Sequence, residues 1–296
     1  MKRRPRLVVT ALSAVLLAML AACSSGASTS SSSADPTVNK DVTFAAGSTM
    51  AALHEKGTIR IGTKFDQPLF GLKNPTTGKP QGFDVEIGKI IAADLGIPAD
   101  NIEWVETVSA NREPFLQQGR VDLVLATYTI NDARKKVADF GGPYYIAGQS
   151  LLVTAGNPDG IAGPDDLAGK MVCSVEGSAS STNIRKLVPT TKVVLFDSYS
   201  KCADALKNGQ VAAVTTDNTI LAGLRSLDPK AFDLVDTTFT KEPYGVGIPK
   251  GQDDMVTFVD EALTKAANDG DYAKAWDSTA GKVLGKAPAL PDLDSH

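Results

Sequence analysis

Short apolar runs alternate along this chain with stretches of helical periodicity, the grammar of an α/β protein. Thr58-Ile-Arg-Ile-Gly62 predicts a strand. Beyond Gly82, residues Phe83, Ile87, Ile90, Ile91 and Leu95 recur at helical spacing until Gly96 stops them. Residues 102–105 predict the next strand, 111–119 a helix, and Val121-Asp-Leu-Val-Leu a buried strand. A second unit starts near Gln149 with Ser-Leu-Leu-Val-Thr154 as a strand and 165–167 as a helical turn. Residues 171–175 follow as a strand, then Glu176-Gly-Ser-Ala-Ser-Ser181 as a small-residue loop opening a helix. Residues 193–196, 202–208 and 211–214 continue as strand, helix and strand, and 232–235 as another strand. Met255, Phe258, Val259, Leu263 and Ala266 mark an amphipathic helix, and 272–279 a last one.

Leu116, Gly119, Val121 and Val124 recur ninety positions later as Leu206, Gly209, Val211 and Val214. On that register Thr127 falls opposite Asp217, which suggests two similar lobes facing one another across a cleft. Ligands of open α/β sheets bind past the carboxyl ends of strands. Ala126-Thr-Tyr-Thr-Ile-Asn-Asp-Ala-Arg134 stands at such an end. There the rigid fork of Arg134 matches a carboxylate bidentately, and the Thr127 and Thr129 hydroxyls can complete its shell. The other reading is a surface turn with a solvated arginine. Arg134 on one lobe and Asp217 on the other would place a cation and an anion for a zwitterion. The loop at 176–181 offers free helix-start amides to an anionic or dipolar group, unless it is an ordinary Gly-Ser turn.

With 296 residues, 43% of them hydrophobic and 22% charged, the chain is long enough for two compact domains. The formal charge of −4 becomes −8 once Lys2, Arg3, Arg4 and Arg6 are removed with a leader, leaving no electrostatic reason to expect nucleic acid. That leader is expected over 1–22: a basic block, then an uncharged apolar stretch from Leu7 to Ala22, short for the roughly 20 apolar residues of a membrane span. A permanent signal anchor is the alternative. Leu20-Ala-Ala-Cys23 resembles the bacterial lipobox, which implies that Cys23 becomes the lipid-modified first residue and tethers a body outside the cytoplasm. Residues 23–40 then form a leash, Ser-rich from Ser24 to Ser33 and expected to stay without structure up to about Lys40.

Cys173 and Cys202 are an even pair in an exported chain, which predicts a disulfide; two separately buried thiols are the alternative. The only histidines are His54 and His296, so neither a Cys-His nucleophile nor a zinc site is expected. Tyr244-Gly-Val-Gly-Ile-Pro-Lys-Gly251 misses both the phosphate-loop and dinucleotide spacings. Residues 163–170 mimic a phosphate loop with one residue too many and Met171 where a hydroxyl is required. Neither Gly-x-Ser-x-Gly nor His-Glu-x-x-His occurs. No catalytic residue, cofactor or metal is expected.

Gly82-Phe-Asp-Val-Glu-Ile, Gly119-x-Val-Asp-x-Val-x-Ala-Thr-x-Thr-Ile-x-x-x-Arg134 and Asp139-Phe-x-x-Pro-Tyr-Tyr145 resemble the family 3 solute-binding proteins of amino-acid ABC transporters. Within that family the sequence is most similar to actinobacterial glutamate-binding lipoproteins. The resemblance implies a two-lobe α/β periplasmic-binding-protein type II fold: lobe 1 from 41–147 and 243–296, lobe 2 from 148–242, and a two-segment hinge near 146–149 and 242–244. It also implies a monomer whose partners are an ABC permease and its ATPase. Carried over residue by residue, Arg134 corresponds to the holder of the α-carboxylate, helped by Thr129 and Thr127, and Asp217 to the holder of the α-ammonium. Ser178 and Ser180 fall where the family closes over the carboxylate, and Phe65 where an aromatic packs on the ligand. Lys64 stands where some glutamine binders carry an acid, and Val175 replaces a basic residue.

Lys64 bears on the substrate. With Arg134 and Asp217 matched by the two poles of an amino acid, a further cation facing the pocket wants a further anion, because a buried unpaired charge costs several kcal/mol. Arg112 is a second candidate for the distal carboxylate. Either could instead be a solvated surface charge. Glutamate is thus expected ahead of aspartate, and both ahead of glutamine. Competing expectations are a same-fold enzyme, such as a prephenate or arogenate dehydratase, and a sensing subunit of a membrane receptor.

Overall fold

The computed structural model describes residues 35–293. The expected leader, Cys23, the Ser-rich stretch and His296 lie outside them. From Asp35 on the chain is already engaged: Lys89 Nζ meets Asp35 Oδ1 at 2.9 Å and the Asn39 N–H donates to the Ala93 carbonyl. These contacts set Asp35 and Asn39 against helix Phe83–Asp94.

Two five-stranded sheets share one plan. In the first, the order is Ile102–Glu106, Ile59–Thr63, Leu123–Val124, Glu242–Pro249, Ala138–Ala147. Its first three strands are parallel and its last two antiparallel additions. In the second, the order is Lys192–Phe196, Met171–Val175, Ala213–Asp217, Gln149–Thr154, Phe232–Leu234, again three parallel strands extended by two antiparallel pairings. The segments of the ninety-residue echo supply the central strand of each sheet. Their approaches match bond for bond: Gly119 N–H donates to Leu116 O and Arg120 N–H to Phe115 O, as Gly209 does to Leu206 and Gln210 to Ala205. Both glycines are left-handed, at φ 61° and 69°, the conformation that closes a helix before a strand.

Both faces of each sheet are covered, and the central strands Leu123–Val124 and Ala213–Asp217 are buried at every position. In the first, Ile59, Ile61 and Leu123 pack under helices Phe83–Asp94 and Asp253–Asp269, while Val124, Ala126 and Phe115 fill the other side. The second is covered by Val214, Cys202 and Leu221 on one face and Val172, Ile184 and Ala213 on the other. Cys173 and Cys202 are disulfide-bonded with Cα atoms 5.5 Å apart, tying helix Tyr199–Lys207 to strand Met171–Val175. Closing that 29-residue separation contributes about 3.5 kcal/mol in the chain-entropy picture.

Two strands escape the periodicity. Ala138–Ala147 contains Gly-Gly-Pro and Glu242–Pro249 contains Pro-Tyr-Gly-Val-Gly, both of which read as loops. Their glycines serve close packing instead: a Cβ on Gly141 would collide with Val259 Cγ1, and one on Gly247 would fall 2.7 Å from the Tyr128 ring. These strands pair with each other as far as Ala147 and Glu242. The chain passes from one sheet to the other at Gly148 and returns before Glu242. There Gln149 N–H donates to Thr240 Oγ1, and both Thr240 and Asn183 donate to Glu242 Oε1.

Candidate functional site

The carboxyl ends of the parallel strands of the two sheets face each other, and the expected site residues cluster there. Beyond strand Ile59–Thr63, Lys64 is 2% exposed and donates to Ser109 Oγ at 2.8 Å. Burial, then nearby Arg112, pulls its pKa down to about 7, against the opposite influence of Asp66 and Asp84. Phe65 follows, half-buried, with Lys73 Nζ 5.2 Å from its ring centre.

The central strand Leu123–Val124 delivers Thr127, held at φ 45°. Its N–H donates to Asp84 Oδ2 at 2.8 Å, and its hydroxyl lies 2.8 Å from the Ala126 carbonyl and 3.0 Å from Gln67 Oε1. Asp84 also accepts from the Tyr144 hydroxyl at 2.7 Å. Burial still pushes its carboxyl up to about 7. Asp84 sits in the Gly-Phe-Asp-Val-Glu-Ile motif, but no sequence signal separated it from a solvated helix residue.

Arg112 and Arg134 flank one ring. Their guanidiniums lie 4.4 and 4.9 Å from the centre of Tyr128, a cation–π arrangement. Arg112 is 2% exposed; its Nε donates to Ser109 O, its Nη1 to Ala126 O and Thr127 O, and its Nη2 to Gly177 O at 3.1 Å. Burial and the like charge of Arg134 bring its pKa down to about 10. Arg134 is positioned by helix Asp132–Lys135, whose cap Asn131 accepts the Arg134 N–H. Its Nη1 donates to Thr129 O at 2.7 Å, its Nε meets Glu113 Oε1 at 3.2 Å, and its Nη2 donates to Gly177 O at 3.0 Å. The surface-charge alternatives for Lys64, Arg112 and Arg134 fail on burial. The simple charge count fails too: Asp84 and Glu113 already stand among these cations.

The facing wall belongs to the second sheet. Ser178 caps helix Ala179–Leu187, its Oγ accepting the Ser181 N–H at 2.9 Å. Ser180 Oγ lies 3.4 Å from Asp217 Oδ1, and Gln149 Nε2 donates to the Ser180 carbonyl. Asp217 ends the central strand Ala213–Asp217 and accepts from the Tyr244 hydroxyl at 2.6 Å. Burial, then Glu242, pushes its carboxyl up to about 7. Val175, where a basic residue could have stood, is buried.

The walls touch. Gly177, from the second lobe, offers one carbonyl to both arginines of the first, and a Cβ added to it would fall 2.7 Å from Ala110 Cα. Arg134 Nη2 reaches the Gly177 carbonyl and Ser180 Oγ lies 3.4 Å from Asp217 Oδ1, while Thr129 is bridged to Tyr244, whose hydroxyl donates to Asp217. Gly177, Tyr128 and Tyr244 were not foreseen: the first acts through its backbone, and tyrosines among apolar residues read as core. Among the described residues no cluster of metal-ligating side chains occurs.

Residues 59–279 match the bacterial extracellular solute-binding proteins, family 3. The chain is 40% identical over 273 residues to the ABC transporter glutamine-binding protein GlnH of Bacillus subtilis (strain 168), covering 92% of this chain and 95% of that protein. It is 38% identical over 238 residues to the glutamate-binding protein GluB of Corynebacterium efficiens, covering 77% and 80%. Among solved structures, a solute receptor for L-cysteine of Neisseria gonorrhoeae superposes with a TM-score of 0.77 at 32% identity, covering 84% of this chain and all of that one. A two-lobe fold with facing polar walls, matched over most of its length, places the chain in family 3 of the bacterial extracellular solute-binding proteins.

Proposed function

We propose that this protein captures an acidic amino acid, glutamate ahead of aspartate, by closing its two lobes around it, and delivers it to an ABC permease while tethered to the outer face of the cell membrane through Cys23. One observation carries the acidic preference: among the described residues, every hydrogen bond from the buried Arg112 guanidinium ends on a carbonyl oxygen. The equally buried Lys64 ammonium donates to a hydroxyl. Two desolvated cations bonded to neutral acceptors gain most from a carboxylate. In this reading Lys64 and Arg112 take the distal carboxylate, and Arg134 with Thr129 and Thr127 takes the α-carboxylate. Asp217 takes the ammonium, Phe65 packs on the ligand, and Ser178 and Ser180 close over it. Three or four charge-assisted contacts of roughly 1.5 to 3 kcal/mol each, less the cost of association, give affinity near micromolar or tighter.

Glutamine is the second reading, favoured by Asp84 and Asp66 beside Lys64, which reduce its need for a ligand anion. A same-fold dehydratase would need a free acid over a leaving hydroxyl, and pairing Asp217 with an ammonium removes it. Calorimetric titration of the full chain with glutamate, aspartate, glutamine and asparagine tests the proposal. Tighter binding of glutamate than of glutamine supports it; glutamine alone binding rejects the acidic preference, and no binding by any of the four rejects the function. Turnover of a cyclohexadienyl acid would replace transport with catalysis.

A further inference from the structure

The lobes also meet at a contact that holding an amino acid does not require. Helix Tyr199–Lys207 of the second lobe follows Ser198, whose side chain makes no capping hydrogen bond to it. Its first N–H donates instead to Asp66 Oδ2, 2.9 Å away on the first lobe and 133 residues distant in sequence. Asp66 begins the two-residue strand Asp66–Gln67, directly after Lys64 and Phe65. The helix is therefore capped from the opposite lobe. A carboxylate there satisfies an orphan amide and complements the positive end of the peptide dipoles. The cap exists only while the lobes touch.

The capped helix is wired to both grips of the site. The Tyr199 side chain is buried among Ser174, Ser178 and Thr216, and burial and then Asp217 push its phenol up. Three residues on, Cys202 is bonded to Cys173 in strand Met171–Val175. Two residues past that strand is Gly177, whose carbonyl reaches Arg112 and Arg134. Asp66 thus contacts the same disulfide-braced body that carries the Gly177 carbonyl.

We propose that Asp66 is a closure residue: by capping helix Tyr199–Lys207 across the cleft it sets the lifetime of the closed form. This rests on the reading that the lobes close around an amino acid. Losing an N-cap oxygen shifts an equilibrium by about 2- to 30-fold, and here the shift falls on opening, since the contact is formed after the ligand has entered.

The test compares Asp66→Ala and Asp66→Asn in the full chain by stopped-flow tryptophan fluorescence, with L-glutamate and L-glutamine as probes. Asp66→Ala should speed dissociation about five- to tenfold and leave association within twofold, while Asp66→Asn, which keeps an acceptor oxygen, recovers most of the wild-type lifetime. Unchanged dissociation in Asp66→Ala overturns the proposal even if the melting temperature falls. So does an Asp66→Asn variant as fast as the alanine, because the charge beside Lys64 and not the cap would then be responsible. If the wild type binds no amino acid, the functional reading fails on its own. Interlobe distances from paired spin labels then decide: a larger open fraction in Asp66→Ala supports the cap, and equal fractions overturn it.

Discussion

The Asp84 carboxylate accepts the backbone N–H of Thr127 at 2.8 Å and thereby holds a threonine at φ 45°, a region that side chains with a branched Cβ rarely enter. The turn that starts the arginine-bearing loop is fixed by a helix residue 43 positions earlier. Replacing Asp84 with Ala leaves the Tyr144 hydroxyl and the Thr127 N–H without that acceptor in a buried place, at about 1 to 3 kcal/mol each. Asp84→Ala should lose about 2 to 4 kcal/mol of unfolding free energy in urea at about pH 4. Asp84→Asn, which can still accept from Thr127, should lose less than half as much.

Lys64→Gln removes a buried ammonium held by Ser109 and leaves a neutral donor in its place. Glutamate affinity should fall about 30-fold or more and glutamine affinity less than about threefold, consistent with charge-assisted bonds of roughly 1.5 to 3 kcal/mol. Unchanged glutamate affinity in calorimetry would take Lys64 out of the site. Arg134→Ala should abolish detectable binding of all four amino acids, since it removes the partner of the group they share.

Proton linkage gives a further expectation. Without ligand the Asp217 carboxyl and the Lys64 ammonium both titrate near 7. Pairing with a ligand ammonium requires Asp217 ionised, so below pH 7 a proton must leave first and affinity falls, approaching tenfold per pH unit. Pairing with a distal carboxylate requires Lys64 charged, so above pH 7 a proton must be taken up and affinity falls again. Glutamate binding should peak near pH 7, and Lys64→Gln should lose the alkaline limb alone. Stability of the free protein follows the other sign for the acids. Because Asp84 and Asp217 are raised above their unfolded values, their contribution is present below about pH 4 and is lost as the pH rises through about 7.

What could be seen beforehand followed from periodicity. The helix beginning at Phe83, the strand before Lys64 and the two central strands ninety residues apart were legible because each buries a regular apolar face. Strands Ala138–Ala147 and Glu242–Pro249 were not, because glycines placed for close contact with Val259 and Tyr128 carry the same letters as turns. In the site, Arg134, Thr127 and Asp217 stood out as polar residues at strand ends. Asp84 and Glu113 did not, since a carboxylate in a helix is ordinarily solvated and only the fold turns these two inward. That difference changes the charge count and leaves the choice between an acid and an amide to Lys64 and Arg112.

Gly177 separates closure from folding. Its φ is 73°, so an alanine there strains the backbone by about 1 kcal/mol in either form of the protein. In the structure the added Cβ also meets Ala110 Cα at 2.7 Å and Ala110 N at 2.8 Å across the two lobes, which are backbone atoms that cannot rotate away. Gly209 has φ 69° with nothing within 4 Å of an added Cβ, so Gly209→Ala carries the backbone strain without the collision. Both variants should lose about 1 kcal/mol of stability in urea. Gly177→Ala alone should lose affinity, by about tenfold or more as expected for an overpacked contact of 1 to 3 kcal/mol, and its carbonyl should no longer reach Arg112 and Arg134 together. Equal affinities for the two variants in calorimetry would mean that the ligand is held without the lobes meeting at Gly177.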